Sequence, residues 1–206
     1  RRSSDLGLRI LLEAARHNGV KRVVFTSSAA VYGDNGQEIQ REEYRPRPLS
    51  PYAISKIVGE YYLEMYNALY GLSTVSLRNF NVYGPRQDPF SPYASVIPIF
   101  ICRALQGKEL IIYGDGEQTR DFIYVKDIAA ANLMFGTSEF TGSYNIASGK
   151  SITINELAHL IKEMTRSKSE IIYAPPRVGE FRRSLAAIDK AKDKGFKVEW
   201  NLADAL

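Results

Sequence analysis

The strongest constraint on this chain is a repeated unit, an amphipathic helix followed closely by a short apolar strand. The stretch LGLRILLEAARHNG places Leu8, Leu11, Leu12 and Ala15 on one helical side, with Gly19 past its end. KRVVFTSS follows at once, an apolar run from Val23 to Phe25 that closes in small hydroxyls. A second helix runs from Pro51: Ser50 is a good N-cap, Pro51 suits the first helical position, and Gly71 is a natural C′ residue. STVSLRN then reads as the next strand. Helix then short strand, twice over, predicts an α/β fold with a parallel sheet and covering helices.

Beyond NVYGPRQDPFSPY, a Pro-rich loop, the rhythm loosens. A helix near VIPIFICRALQG leads to short strands ELIIYG and DFIYV, a helix KDIAAANLMFG and a strand GSYNIASG. TINELAHLIKEMTR opens with a capping box, Thr153 to Glu156, and reads as another helix. None of the 15 glycines has the Gly-x-Gly-x-x-Gly or Gly-x-x-Gly-x-x-Gly spacing that wraps a dinucleotide pyrophosphate. Gly114 to Gly116 has Thr119 where a third glycine belongs, and Gly33 to Gly36 has Ile39. The chain also opens within a helix, with no strand before it. The expectation is a piece of a longer α/β protein without its glycine-rich first half, leaving an apolar sheet edge exposed.

Composition narrows the class. Of 206 residues, 45% are hydrophobic, enough for a substantial core, and the net charge of +4 is too small and too scattered for a nucleic-acid arm. Cys102 is the single cysteine, which excludes an internal disulfide and suits a reducing compartment. His17 and His159 lie far apart without ligand-like spacing, so no metal site is expected. No signal peptide or bilayer-length apolar run is visible, and a soluble cytoplasmic protein is the expectation.

Tyr52 and Lys56 stand one helical turn apart and share a face. A lone Tyr-x-x-x-Lys is usually an amphipathic helix with a packed ring and a solvated ammonium. Thr26, Ser27 and Ser28 lie at the carboxyl end of a strand, where open parallel sheets bind ligands, yet hydroxyls there are commonly turn formers. The ordered set changes that judgement: TSSAAVYG at 26–33, YAISK from Tyr52, LRNFNVYGPRQDP at 77–89 and GDGEQTRDFIYV at 114–125. Together these resemble the extended short-chain dehydrogenase/reductase family, in its NAD-dependent epimerase/dehydratase branch, and within it the nucleotide-sugar 4-epimerases.

The resemblance implies a Rossmann-like parallel sheet with a smaller substrate-binding domain. Residues 1–84 would be the remaining part of the NAD-binding domain with the catalytic helix, a strand at 141–149 would return to it, and 85–206 would mainly bind a UDP-sugar. Tyr52 would take the proton from the sugar C4 hydroxyl. A free phenol titrates near pH ~10, so work near neutrality needs a lowering of about three units, roughly 4 kcal/mol. A cation ~4 Å away at an effective dielectric near ~20 supplies about that much. Lys56 is placed to be that cation and would also bond the nicotinamide ribose, while Ser28 would hydrogen-bond the reacting oxygen. Thr26, Ser27 and Asn79 join Tyr52 and Lys56 as implied cofactor contacts.

For the UDP-sugar, the resemblance implies Asn81 at the diphosphate and Arg120 and Arg177 as diphosphate or ribose contacts, since planar guanidinium forks suit phosphate oxygens. Glu180 would hold the uridine ribose, Ile111 and Tyr113 would line the uracil, and Val96 would act through its backbone. Ser184 falls where some family members carry a tyrosine that narrows the sugar pocket, and a small residue there should admit an N-acetyl group. Related dehydratases carry an acidic pair after the strand-end hydroxyl; Ser27 to Ala29 hold no carboxylate, which favours an epimerase over a dehydratase, and the resemblance with Ser184 implies UDP-glucose/UDP-galactose and also the N-acetylated pair. Two other readings stay open: a nucleotide-sugar-binding fragment without catalysis, and another reductase or decarboxylase of the family. The family also implies a homodimer paired through two helices, one of them bearing Tyr52; the aromatic face around Tyr61, Tyr62 and Tyr66 is compatible with that pairing and equally with core packing.

Overall fold

The computed structural model describes residues 4–91, 94–177 and 181–206. Its first half runs α1 (Ser4–His17), β1 (Arg22–Ser28), a 3-10 turn (Ala29–Tyr32), α2 (Pro51–Tyr70), β2 (Ser73–Asn79), β3 (Asn81–Tyr83) and α3 (Val96–Leu105). Then come β4 (Leu110–Tyr113), β5 (Thr119–Arg120), β6 (Phe122–Tyr124), α4 (Val125–Thr137), β7 (Gly142–Ile146) and β8 (Ile152–Thr153). The remainder is α5 (Ile154–Met164), β9 (Ile171–Ala174), α6 (Asp189–Lys192) and a last 3-10 turn (Ala203–Ala205).

The expected alternation of helix and strand produces a parallel sheet in the order β1-β2-β7. Alternation along β1 decides where its helices go. Val23 and Phe25 pack with Leu12, Leu63 and Tyr66 of α1 and α2, while Val24 packs with Ala131 and Phe135 of α4 on the other face. Helices therefore cover both faces, the Rossmann-like layering. Gly59 permits the close approach of α2, since a Cβ there would meet the Phe25 ring at 2.5 Å. Among the described residues, no strand pairs with the outer side of β1, and no helix is long and apolar enough to cross a membrane.

Residues of α6 join the main sheet through Ala191, packed with Tyr144 and Ile146, while a second body of packing forms around α3, β4 and α5. Phe100 and Ala104 of α3, Leu110 and Ile112 of β4, and Leu157 and Ile161 of α5 share one apolar cluster. β4 pairs with β9 in parallel, β3 with β6 in parallel, and β5 with β8 antiparallel. The β3, β5, β8 and β9 segments were not expected as strands. β5 and β8 have two residues each and β3 three, too short to show a period of two, and each is held by a partner distant in sequence.

Local chemistry at the helix ends matches the sequence reading. Ser50 Oγ accepts from the Ala53 N–H at 3.1 Å, Gly71 sits at φ 66°, and Thr153 with Glu156 forms the complete capping box. Replacing Ser50 with Ala removes an acceptor from the turn that carries Tyr52. The expected loss is about 1 kcal/mol of unfolding free energy, read from the urea midpoint at constant slope.

Asp121 joins three segments. Its buried carboxylate accepts from Ser148 N–H at 2.9 Å, Ser148 O–H at 2.7 Å, Gly149 N–H at 3.1 Å and Ala186 N–H at 3.2 Å. Burial pushes this carboxyl up from its ordinary 3.8 to about 6, with the donors pulling against it. The native state then holds a proton that the unfolded chain has released between those two values. This site's contribution to stability is fully present below 3.8 and is lost as pH rises through about 6. Subtracting the stability–pH curve of Asp121→Asn from that of the parent should give a difference that falls over this window and is flat above it; a flat difference throughout contradicts the assignment.

Candidate active site

The carboxyl end of β1 is where the catalytic candidates meet. Lys56 reaches down from α2 and donates from Nζ to the Thr26 carbonyl at 2.7 Å. The same Nζ lies 5.2 Å from the centre of the Phe25 ring and 5.6 Å from that of Tyr52. The expected phenol–ammonium neighbourhood is present, but the lysine's hydrogen bond goes to the strand-end carbonyl and not to the phenol. A peptide carbonyl left without a strand partner at an edge needs a donor, and the flexible ammonium supplies it. Partial burial lowers the Lys56 pKa from its ordinary value. The Tyr52 side chain is half exposed.

Ser28 does two jobs. Its Oγ caps the following 3-10 turn by accepting from the Ala30 N–H at 3.2 Å. That bond fixes the oxygen and leaves the hydroxyl proton available to donate to a reacting group. Ser28 stands opposite Asn79 in the β1–β2 register, and the Asn79 Oδ1 is buried without a hydrogen-bond partner among the described residues. Such an atom is costly unless something donates to it. Thr26 points to the exposed side. Ser27 turns inward, and its hydroxyl donates to the buried Glu60 carboxylate, so its side chain is turned from the open edge where a cofactor contact was expected.

From Asn79 the chain passes directly into a second feature. Phe80 and Asn81 form one wall of a cavity of about 590 Å³ that also receives Val96, Ile111, Tyr113, Arg120 and Arg177. Residues expected at a nucleotide-sugar site from five separate stretches of sequence thus share one hollow. Strand alternation presents Ile111 and Tyr113 on one side of β4, with Leu110 and Ile112 buried on the other. The Arg177 guanidinium lies 3.9 Å over the Tyr113 ring. Arg120, nearly buried, is oriented by donating to the Thr119 and Phe181 carbonyls at 2.8 and 2.9 Å. Asn81 Nδ2 donates to the Asp121 carbonyl at 2.8 Å and to Ser184 Oγ at 3.3 Å, so buried Ser184 adjoins this wall. Glu180 lies outside the described residues. A larger groove of about 1110 Å³, lined by residues such as Lys150, Lys197 and Trp200, gathers none of these positions.

Sequence reasoning missed the charges beneath the site. Arg78 donates from Nη2 to Glu60 Oε2 at 2.7 Å and from Nε to Oε1 at 3.0 Å, with both side chains at least 95% buried. Burial works against the Arg78 charge, but its bonds to Glu60 prevail and raise its pKa. Arg78 Nη1 also donates to Tyr32 Oη at 3.0 Å, and Tyr32 O–H donates to Asn145 Oδ1 at 2.6 Å. Burial drives the Tyr32 pKa up to about 12. The available signal was the third turn of the pattern: Tyr52, Lys56 and Glu60 repeat every four residues. Ser95 was also missed; its buried Oγ, without a hydrogen-bond partner among the described residues, stands at the start of α3 and lines the cavity.

Comparison with known proteins supplies the wider frame. The model of the NAD dependent epimerase/dehydratase family matches residues 5–147. The UDP-glucose 4-epimerase of Mycolicibacterium smegmatis is 38% identical over 95% of this chain and 63% of its own length. Among solved structures, UDP-N-acetylglucosamine 4-epimerase from Methanobrevibacter ruminantium, in complex with UDP-N-acetylmuramic acid, is 45% identical with a TM-score of 0.92, over 96% of this chain and 63% of that one. UDP-glucose 4-epimerase from Thermotoga maritima, with UDP-glucose, is 40% identical with a TM-score of 0.93, over 97% of this chain and 65% of that one. The chain spans about two thirds of the length of the curated relatives it matches. By this match and by its fold, the chain belongs to the NAD dependent epimerase/dehydratase family.

Proposed function

We propose that this chain is the catalytic-helix and substrate-binding part of an NAD-dependent UDP-sugar 4-epimerase. The observation that carries the reading is continuity. Tyr52, Lys56 and Ser28 gather at one strand end, and residues 79–81 lead from there into a cavity holding Arg120 and Arg177. The groups present fit a dinucleotide: an Asn79 acceptor buried without a partner among the described residues, and an ammonium with further donors in Lys56. NAD, when bound, supplies the acceptor and donor of a hydride at the sugar C4.

The residues do the rest. Tyr52 accepts the C4 hydroxyl proton while Ser28 donates a hydrogen bond to the same oxygen. Lys56 places a positive charge beside the phenol and stabilises its anion. The resulting 4-keto sugar rotates about its diphosphate linkage, which Arg120, Arg177 and Asn81 hold, and regains hydrogen at C4 on its other face, with Tyr52 returning the proton. The domain division follows the same logic: residues 1–84 with the 141–149 strand carry the cofactor side, and 85–206 mainly the UDP-sugar. Of the expected aromatic face, Tyr66 is core and Tyr62 packs against it, leaving Tyr61 exposed; with Ile10, Leu11 and Leu69 it supports a homodimer paired through α1 and α2.

Two measurements in the whole protein test this reading. Tyr52→Phe should lower kcat for interconversion of UDP-glucose and UDP-galactose, without net accumulation of NADH, by ~10²-fold or more at little change in KM; unchanged turnover contradicts the role. Ser184 is a small residue held beside Asn81, which supports use of the N-acetylated pair. Ser184→Tyr should therefore cut kcat/KM for UDP-N-acetylglucosamine at least ~10-fold more than for UDP-glucose, and equal losses would remove that part of the proposal.

A further inference from the structure

We propose that Glu60, gripped by Arg78, is the positioning residue that sets the helical phase of Tyr52 and Lys56 against Ser28. This rests on the epimerase reading for the roles of those three, but the geometry stands by itself. Tyr52, Lys56 and Glu60 follow one face of α2 at intervals of four residues. Glu60 is the member that contacts the sheet interior, and it contacts all three strands at once. Ser27 of β1 donates to its Oε1, Arg78 of β2 to both oxygens, and Ser143 of β7 to Oε2 at 3.1 Å.

Two of these anchors neighbour a functional position. Ser27 precedes Ser28, and Arg78 precedes Asn79, which faces Ser28 across the register. The apolar contacts of Ile57 and Leu63 hold α2 to the sheet without fixing its rotation, because hydrophobic burial is non-directional. A fork of charge-assisted bonds does fix rotation and slide. With a rise of 1.5 Å per residue, Glu60 lies about 12 Å along the axis from Tyr52 and about 6 Å from Lys56, so a small rotation at the anchor moves both. Packing alone would be served by an apolar residue of similar volume, so the retained carboxylate points to a geometric task.

The test uses Glu60→Asp in the whole protein, which keeps the charge and shortens its reach by one methylene. Expected are a kcat lower by ~10- to 100-fold, since a misplacement of about 1 Å can cost that much, a UDP-glucose KM within about twofold, and a thermal midpoint close to the parent's. Faster hydrogen exchange of the amides from Ala53 to Lys56 is the companion readout, and it needs no substrate. Parental kcat with parental exchange overturns the proposal. If the parent itself epimerises no UDP-sugar, the epimerase reading fails, and exchange alone then decides the positioning role. Should Glu60→Asp fail to fold, Ser143→Ala removes the β7 anchor alone; a ~3- to 10-fold loss of kcat at constant KM with faster exchange supports the role, and no change in either overturns it.

Discussion

The buried Glu60–Arg78 pair is the interaction on which the rest of the site depends. Two charges withdrawn from water this far cost free energy that their attraction repays only with good geometry and satisfied neighbours. Here the neighbours are Ser27, Ser143 and Tyr32, and through Tyr32 the network reaches Asn145 on β7. Asn145 extends it by donating from Nδ2 to the Gln40 and Ala187 carbonyls, tying in the loop before α2 and the segment after Ser184. Loss of either charged partner would leave the other buried alone, at roughly 3–5 kcal/mol. The strands, the helix bearing Tyr52 and the connecting loops are therefore joined by one polar assembly beneath the candidate site.

Above that assembly, parallel pairing does the placing. All the strands of the main sheet run the same way, so the ends bearing Ser28 and Asn79 open on one side. Lys56 closes the edge by answering the Thr26 carbonyl, which holds its charge close to Tyr52. At the cavity, charge and shape are combined. Arg120 is held stiffly by two carbonyls and Arg177 stacks on Tyr113, so two guanidinium groups are fixed in orientation at one cavity. Prior orientation reduces the conformational freedom that a ligand's arrival would otherwise remove.

Much of this was legible in the residues. Amphipathic spacing, caps and the helix–strand rhythm marked α1 to α5, β1, β2, β4, β6 and β7 in the right order, since each depends on contacts within a few residues. The Tyr52–Lys56 face and the strand-end hydroxyls were legible for the same reason. The inward turn of Ser27 was not, because it depends on where a carboxylate 33 residues away is delivered. Nor was the short β3 pairing to β6, whose partner lies some 40 residues on.

By itself, then, the sequence determined the local elements, the parallel α/β class and the motif set that marks the family, because periodicity and capping act over one or two turns. Only the tertiary structure decided that Lys56 answers a strand carbonyl, that Glu60 and Arg78 bury together, and that positions from 81 to 177 share one cavity. The physical reason is that a buried charge or an edge carbonyl must find its partner in space, and sequence distance carries no record of which partner folding will bring near.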